Sequence, residues 1–153
     1  MSAARLDDQL CFALYTASRT VTAAYRPVLD ELGITYPQYL ALLVLWEEGR
    51  CSVGHLGERL HLDSGTLSPL LKRLEAVGLV ARQRSADDER RVEVSLTPAG
   101  ERLEKRAACV PERLLASAQV SESDLAALRE SLKNLVHQLD TTKGTTDERV
   151  VHR

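Results

Sequence analysis

The chain has 153 residues, of which 44% are hydrophobic and 27% are charged, and its formal net charge is −2. This length suits one domain with its own core, or one subunit of a dimer, and is too short for two independent domains. The slightly acidic net charge disfavours a protein that binds nucleic acid over its whole surface, but it is compatible with a local basic patch.

No segment resembles a secretory signal, and no apolar run approaches the ~20 residues that a membrane span needs. We therefore expect a cytoplasmic protein with no membrane partner. The 3 cysteines, Cys11, Cys51 and Cys109, fit neither a CxxC zinc site nor a secreted disulfide framework, so their thiols are expected to start reduced.

The histidines show no pattern of a metal site or of a catalytic triad. There is no HExxH motif and no set of nucleophile, base and acid around them; they are His55, His61, His137 and His152. We expect no enzyme activity, no metal and no cofactor.

The N-terminal part of the chain predicts two helices. From Asp7 to about Glu31 apolar residues recur every three or four positions and share one helical face, which Pro27 either kinks or splits. After a break at Gly33, a second helix begins near Pro37 and is apolar nearly all round, so we expect it to be central.

The middle of the chain predicts two short helices and a hairpin. Ser52 suits the cap of a helix that reaches Leu60, and SGTLSPLLKRLEAVG predicts a second helix that stops at Gly78. LVARQRS and RRVEVSLT then alternate apolar and polar residues on either side of a polar SADDE loop, which predicts a β-hairpin.

Beyond the hairpin the chain predicts helices again. Thr97 and Pro98 suit the cap and first turn of a long helix, which Pro111 interrupts. Further helix is expected over 114–118 and 124–139. Residues after that are polar and lack periodicity, so they predict a flexible tail.

A helix, a tight turn, a second helix and a hairpin form the order of a winged helix-turn-helix, whose second helix enters the DNA major groove. One face of this second helix is a stripe of leucines. The opposite face has small polar residues that let a helix approach base edges, followed by cations that can meet phosphates. These candidate DNA-binding residues are Ser64, Gly65, Thr66, Ser68, Lys72 and Arg73. The alternative is a surface helix with solvated charges.

The hairpin tip favours the DNA-binding interpretation. An arginine that enters a groove must be held in a fixed direction. Asp88 stands two positions before Arg90, where its carboxylate could hold the arginine side chain. DERRVEVSLTPAG resembles the wing signature of the MarR family of bacterial transcriptional regulators, matching it at Asp88, Arg90, Leu96 and Thr97. LDSGTLSPLLKRLEAVGLV is similar to the recognition helix and turn of the same family.

This resemblance implies a mainly α fold with a small β-hairpin, in a symmetric homodimer bound to a pseudo-palindromic operator in double-stranded DNA. Residues 1–36 and 98–140 would form the helical dimerisation region, 37–97 the winged helix-turn-helix domain, and 141–153 the flexible tail. Arg90 would enter the minor groove. The leucine face of the last helix suits either dimerisation or packing within one subunit.

A polar seam of the first helix contains Cys11. At about 100° per residue, Cys11, Tyr15, Ser18, Thr22 and Tyr25 fall within about ±40° of one another. Tyr25 is about 21 Å along a straight helix from Cys11, so it can touch only the Cys11 of a symmetry-related helix. Phenolic hydroxyls can stabilise a thiolate, the form that a peroxide attacks. The alternative is a cysteine packed as a small hydrophobe.

LCFALY, followed by Tyr25 and Tyr36, resembles the organic hydroperoxide-sensing branch of the MarR family, the OhrR-type repressors. The resemblance implies that Cys11 is the peroxide-reactive residue and that Tyr25, Tyr36 and Tyr15 hydrogen-bond to it across the dimer. Oxidation to sulfenic acid and then to a disulfide would release the operator. The resolving thiol would be Cys109 or a small molecule.

Three interpretations of the whole chain follow. The leading one is a dimeric repressor that organic hydroperoxides release from DNA. The second keeps the fold but has a small phenolic or aromatic ligand as the signal, with Cys11 incidental. The third is a winged-helix protein-interaction module. In all three, Cys51 is expected to be a buried bystander.

Overall fold

The computed structural model describes residues 5–147, and their side chains except those at 115, 117, 118 and 142–147. After a 3-10 turn (Leu6–Asp8), the helices are α1 (Leu10–Leu32), α2 (Tyr36–Glu48), α3 (Val53–Leu60), α4 (Ser64–Ala76), α5 (Pro98–Ala107), α6 (Val110–Ala118) and α7 (Glu122–Asp147). The strands are β1 (Cys51–Ser52), β2 (Val80–Arg84) and β3 (Val92–Leu96). The predicted mainly α fold with a winged helix-turn-helix is confirmed.

Side-chain caps define where several helices begin. Ser52 accepts a hydrogen bond from a backbone N–H in the first turn of α3, and Thr97 accepts one from Gly100 at the start of α5, as predicted. At α2, Thr35 and Gln38 cap each other's backbone N–H groups. These bonds satisfy donors that a first helical turn leaves unpaired, so the boundaries are encoded locally.

Two prolines affect the helices differently. α1 runs through Pro27 without a break, so the helix does not split there. α5 ends at Ala107 and α6 begins at Val110, so the predicted interruption comes just before Pro111. Pro111 stands in the first turn of α6. Backbone N–H groups there have no acceptor within the helix, so a proline, which lacks the N–H, removes no helical hydrogen bond.

The predicted hairpin is formed by β2 and β3, which pair antiparallel from Val80 opposite Leu96 to Arg84 opposite Val92. β1 pairs with the other side of β3, which gives the sheet order β1-β3-β2. The sequence did not predict β1 because its 2 residues are too few to show an alternating pattern.

The chain divides into two compact units, residues 1–114 and 115–153. In the first unit, one core collects buried side chains from α1, α2, α3, α4, β3 and α5: Leu29, Leu42, Leu56, Leu71, Val94 and Leu103. α1 and α5 therefore pack with the winged part of the chain because their apolar residues complete its core. The division into dimerisation and DNA-binding regions stays a prediction.

In the second unit α7 confirms the predicted helix over 124–139 and extends it. It continues to Asp147, beyond the predicted start of the tail, because helix propagation adds one hydrogen bond per residue and no proline stops it. The rest of the predicted tail, 148–153, lies outside the described residues. Three apolar side chains of α7 are about half exposed: Leu128, Val136 and Leu139.

None of the helices within residues 5–147 is by itself long and apolar enough to cross a membrane. α1 and α2 reach that length and composition only as a pair, and the pair is bent by 72°.

Candidate functional site

The outer face of α4 carries the residues that were predicted to meet DNA. All six are exposed: Ser64, Gly65, Thr66, Ser68, Lys72 and Arg73. The leucine stripe on the other face is buried. At the start of the helix, the Asp63 carboxylate accepts a hydrogen bond from the backbone N–H of Thr66 at 2.8 Å, and this bond lowers the pKa of Asp63. The N-terminal end of α4 is thus capped and presents small polar side chains.

Asp88 lies at the tip of the wing, which is the hairpin formed by β2 and β3, but its carboxylate does not make the contact that we predicted. Its Oδ1 accepts a hydrogen bond from the backbone N–H of Arg90 at 3.0 Å, and its carbonyl accepts one from Arg91 at 2.9 Å. Within residues 5–147 no ion pair joins the Asp88 carboxylate to the Arg90 guanidinium. In a tight turn the nearest donor is the N–H two residues on, so Asp88 holds the backbone of Arg90 rather than its side chain.

A cleft of about 640 Å³ lies between α3, α4 and the wing. It brings Ser68 of α4 together with Arg82, Arg90 and Arg91 of the hairpin, and Glu58 is the acidic residue in its lining. Arg82 and Arg91 were not among the predicted DNA-binding residues, because the register of the hairpin decides which arginines line the cleft. The guanidinium groups of Arg90 and Arg91 beside a small hydroxyl suit a phosphate backbone, whereas that of Arg82 donates to Glu75.

Cys11 is exposed in the first turn of α1, so its own chain does not bury it as the alternative prediction requires. Tyr15, one turn further on, is 59% exposed and accepts a hydrogen bond from Arg19 at 3.2 Å. The Arg19 guanidinium also lies over the Tyr15 ring, 5.4 Å from its centroid. Arg19 was missed, although its spacing of four residues from Tyr15 is the signal of such a pair.

Three tyrosines cluster where α1 meets α2. The ring centroids of Tyr25 and Tyr36 are 4.9 Å apart, and Tyr39 lies 6.1 Å from Tyr25 and 6.5 Å from Tyr36. Burial raises the pKa of all three phenols, so they remain protonated donors at neutral pH. Tyr39 was not among the predicted redox residues, although its spacing of three from Tyr36 puts both rings on one side of α2.

One chain does not bring all the predicted redox residues together. Cys11 and Tyr15 lie near the N-terminal end of α1, whereas Tyr25 lies near its C-terminal end and contacts Tyr36. A cleft of about 470 Å³ runs beside Tyr36 and is also lined by Arg19. Because α1 is continuous, its length keeps Cys11 away from Tyr25 of the same chain.

The other two cysteines have different surroundings. Cys109 is exposed, and its thiol donates a hydrogen bond to the carbonyl of Arg106 at 3.3 Å. Cys51 is half-buried in β1, and burial, with Glu48 nearby, raises the pKa of its thiol. A thiol with a raised pKa is a poor nucleophile, which agrees with the expectation that Cys51 is a bystander.

Among residues 5–147, no three His, Cys, Asp or Glu side chains are grouped closely enough to hold a metal ion. His55 instead contacts the Glu48 carboxylate, which also accepts a hydrogen bond from Arg59. These contacts lower the pKa of Glu48, with the bond from Arg59 the larger cause, and they join the end of α2 to α3.

Comparison with known proteins gives a consistent result. Residues 23–107 match the sequence profile of a family described as transcriptional regulator SarA/Rot. The chain is 50% identical over 135 residues to the organic hydroperoxide resistance transcriptional regulator of Bacillus subtilis, covering 88% of this chain and 92% of that protein.

Solved structures of the regulator AbfR, known from Staphylococcus epidermidis, are also similar. Its reduced form bound to DNA superposes with a TM-score of 0.73 at 38% identity, covering 88% of this chain and 94% of that one. Its disulfide form has a TM-score of 0.62 at 39% identity, covering 86% and 93%.

Proposed function

Because this chain belongs to the MarR family of transcriptional regulators, in its OhrR-type branch of organic hydroperoxide resistance regulators, we propose that it is a redox-sensing repressor of transcription. It binds an operator in double-stranded DNA and leaves it when an organic hydroperoxide oxidises Cys11. The observation that carries the proposal is an exposed Cys11 on the same helix that holds Tyr25 against Tyr36.

DNA binding is supported by the face that α4 and the wing form together. Ser68 on α4 and Arg90 on the wing line one cleft, so a groove-reading helix and a groove-reaching cation are presented on the same side of the molecule. Lys72 and Arg73 follow one turn along α4, where they would meet phosphates. The similar protein AbfR has been solved bound to DNA.

A homodimer completes the redox site. Cys11 of one chain cannot reach its own Tyr25, but antiparallel approach of a second α1 would bring it to the partner's tyrosine cluster. The exposed apolar residues beside Cys11 on α1, Leu10 and Phe12, give such a dimer an apolar surface to bury. Residues 1–36 and 98–140 would form this dimerisation region, leaving 37–97 as the DNA-binding domain.

The chemistry consumes one peroxide per sensor thiol. The Cys11 thiolate attacks the terminal peroxide oxygen and the O–O bond breaks, which gives a Cys11 sulfenic acid and an alkoxide. The alkoxide takes a proton from solvent and becomes an alcohol, so sulfur is oxidised and the peroxide is reduced. Protonated phenols of Tyr15, Tyr25 and Tyr36 would donate to the thiolate and the departing oxygen. A second thiol then displaces water from the sulfenic sulfur and forms a disulfide.

Cys109 is the second thiol that the structure supports, because it is exposed and lies in the C-terminal helical region. A small-molecule thiol is the other source. In this proposal the chain is a sensor that consumes one peroxide per Cys11 thiol in each round, and it works in the cytoplasm.

A gel shift tests the proposal. Reduced parent protein and a Cys11→Ser variant are mixed with the DNA upstream of the chain's own gene, with and without one equivalent of cumene hydroperoxide. We expect both to bind and only the parent to be released. Release of both by a phenolic ligand under reducing conditions, with no response to peroxide, would favour the ligand-released repressor instead, and sustained peroxide turnover would favour an enzyme.

A further inference from the structure

An ion pair joins the end of the recognition helix α4 to the base of the wing. The guanidinium of Arg82 on β2 donates through Nη2 and Nε to Oε2 of Glu75, at 2.7 and 3.0 Å. The backbone N–H of Arg82 donates to the other carboxylate oxygen at 3.3 Å. Both oxygens of Glu75 are therefore bonded to one residue, which fixes direction as well as distance.

The pair lies where the chain changes direction. Between its two members, α4 ends and Gly78 adopts a left-handed φ of 75°, which turns the chain into β2. The side chains are only 30% exposed at Arg82 and 39% at Glu75. Solvent therefore screens this pair less than it screens the more exposed pairs, such as Glu130 with Lys133.

The base of the wing is held by the pairing of β1 with β3 and by the buried Val80 and Val94. Most residues further out, from Gln83 to Val92, are exposed, so the outer part of the wing has little packing that sets its angle. Arg82 pairs in the sheet with Val94, a fully buried residue. The ion pair between Glu75 and Arg82 therefore contacts the hairpin at the end that packs on the core. Because Arg90 lies at the far end, a small rotation at the base moves it by a larger distance.

Arg82 also lines the cleft that contains Ser68 and Arg90, yet its charge is already matched by Glu75. The Arg82 guanidinium is occupied within the protein, whereas no ion pair within residues 5–147 joins Arg90 to a carboxylate. The two arginines therefore have different tasks in one cleft. One positions the wing and the other is free to meet a ligand.

We propose that Glu75 and Arg82 are positioning residues for DNA recognition: they fix the angle between α4 and the wing, so that both fit one operator at once. This inference rests on the proposed function and adds a determinant of its specificity. A preformed angle removes the entropy loss of ordering the wing on DNA. It matters most for the operator, where helix and wing must bind simultaneously, and little for non-specific contact with phosphates.

The test uses full-length reduced protein and two duplexes of equal length: one that the parent selects from a randomised pool, and a scrambled version. Dissociation constants are measured for the parent, Glu75→Gln, Arg82→Lys and the double variant. Glu75→Gln and Arg82→Lys each keep the size of the side chain, and circular dichroism verifies their folding. Glu130→Gln, which breaks the exposed pair on α7, is the matched control.

We expect each single variant to bind the selected duplex about tenfold more weakly, the size of one lost base-pair contact, with less than about a twofold change on the scrambled duplex. The double variant should lose no more than either single one, because both break the same pair. Hydroxyl-radical footprints should lose the minor-groove protection due to the wing while keeping that due to α4.

Unchanged affinity for the selected duplex, or an equal loss on both duplexes with a shallower salt dependence, would overturn the inference, since the latter marks Arg82 as a phosphate contact. In either case the parent still binds its selected duplex, so the proposed function stands. If the parent selects no duplex at all, the proposed function fails together with the inference.

Discussion

Tyr25 on α1 and Tyr36 at the start of α2 lie with their ring centroids 4.9 Å apart, and burial raises the pKa of both phenols. The contact joins the helix that carries Cys11 to the helix at the centre of the core. It also keeps both phenols at half-buried positions, where they stay protonated.

Replacing Tyr36 with Phe tests whether these hydroxyls serve the sensor. The ring contact is kept, so the free energy of unfolding should change by less than about 1.5 kcal/mol. DNA binding by the reduced protein should be unchanged. The peroxide dose for half-maximal release should rise about tenfold, the value of one hydrogen bond to a charged group. An unchanged dose in both Tyr36→Phe and Tyr25→Phe would remove the phenols from the redox step.

The raised phenol pKa values predict how stability depends on alkaline pH. A group whose pKa is higher in the folded chain contributes stability that is present below its unfolded value of about 10 and is lost as pH rises through the folded value. The free energy of unfolding in urea should therefore fall as pH rises above about 10. In absorbance titrations, phenolate should form at higher pH in the folded chain than in urea. Coincident titration curves would contradict the burial argument.

Arg90→Ala should weaken operator binding about tenfold or more, because the wing would lose the side chain that we propose enters the groove. Lys72→Ala and Arg73→Ala should act differently, each reducing the slope of log affinity against log salt by about 1. Fluorescence anisotropy across a salt series measures both effects. A salt slope equal to that of the parent in both α4 variants would show that Lys72 and Arg73 do not contact the DNA.

Asp63→Ala should destabilise the chain by about 0.5–2 kcal/mol, since the N-terminal N–H groups of α4 lose their cap. Asp63→Asn keeps a capping oxygen and is the matched control, expected to stay close to the parent. Urea unfolding compares the three proteins. Equal losses in both variants would indicate that the charge of Asp63, rather than the cap, supports α4.

Gly100→Ala should be strongly destabilising, because the added Cβ would lie 2.2 Å from the backbone oxygen of Leu79. Overpacking of this kind costs about 1–3 kcal/mol and would disturb the join between α5 and the wing. Gly54→Ala is the control: its Cβ would meet only the Ser52 hydroxyl, at 3.9 Å. Thermal unfolding should show a lower midpoint for Gly100→Ala and an unchanged midpoint for Gly54→Ala. Equal midpoints would show that the backbone at Gly100 can move.

The sequence alone determined the features that depend on neighbours in the chain. The recognition helix and its exposed face follow from a leucine period of three and four, and the caps at Ser52 and Thr97 follow from single residues before a helix. The position of Cys11 on the polar seam of α1 also follows from local spacing. Each of these is encoded within a few turns of helix, where spacing fixes direction.

Only the tertiary structure decided the contacts between distant segments. It added Tyr39 to the cluster, paired β1 with β3, and turned Asp88 toward a backbone N–H rather than a guanidinium. It also showed that Glu75 holds Arg82, so that two arginines of one hairpin have different partners. No periodicity encodes such pairs, because they depend on register, chain reversal and core packing, which bring together residues that the sequence keeps apart.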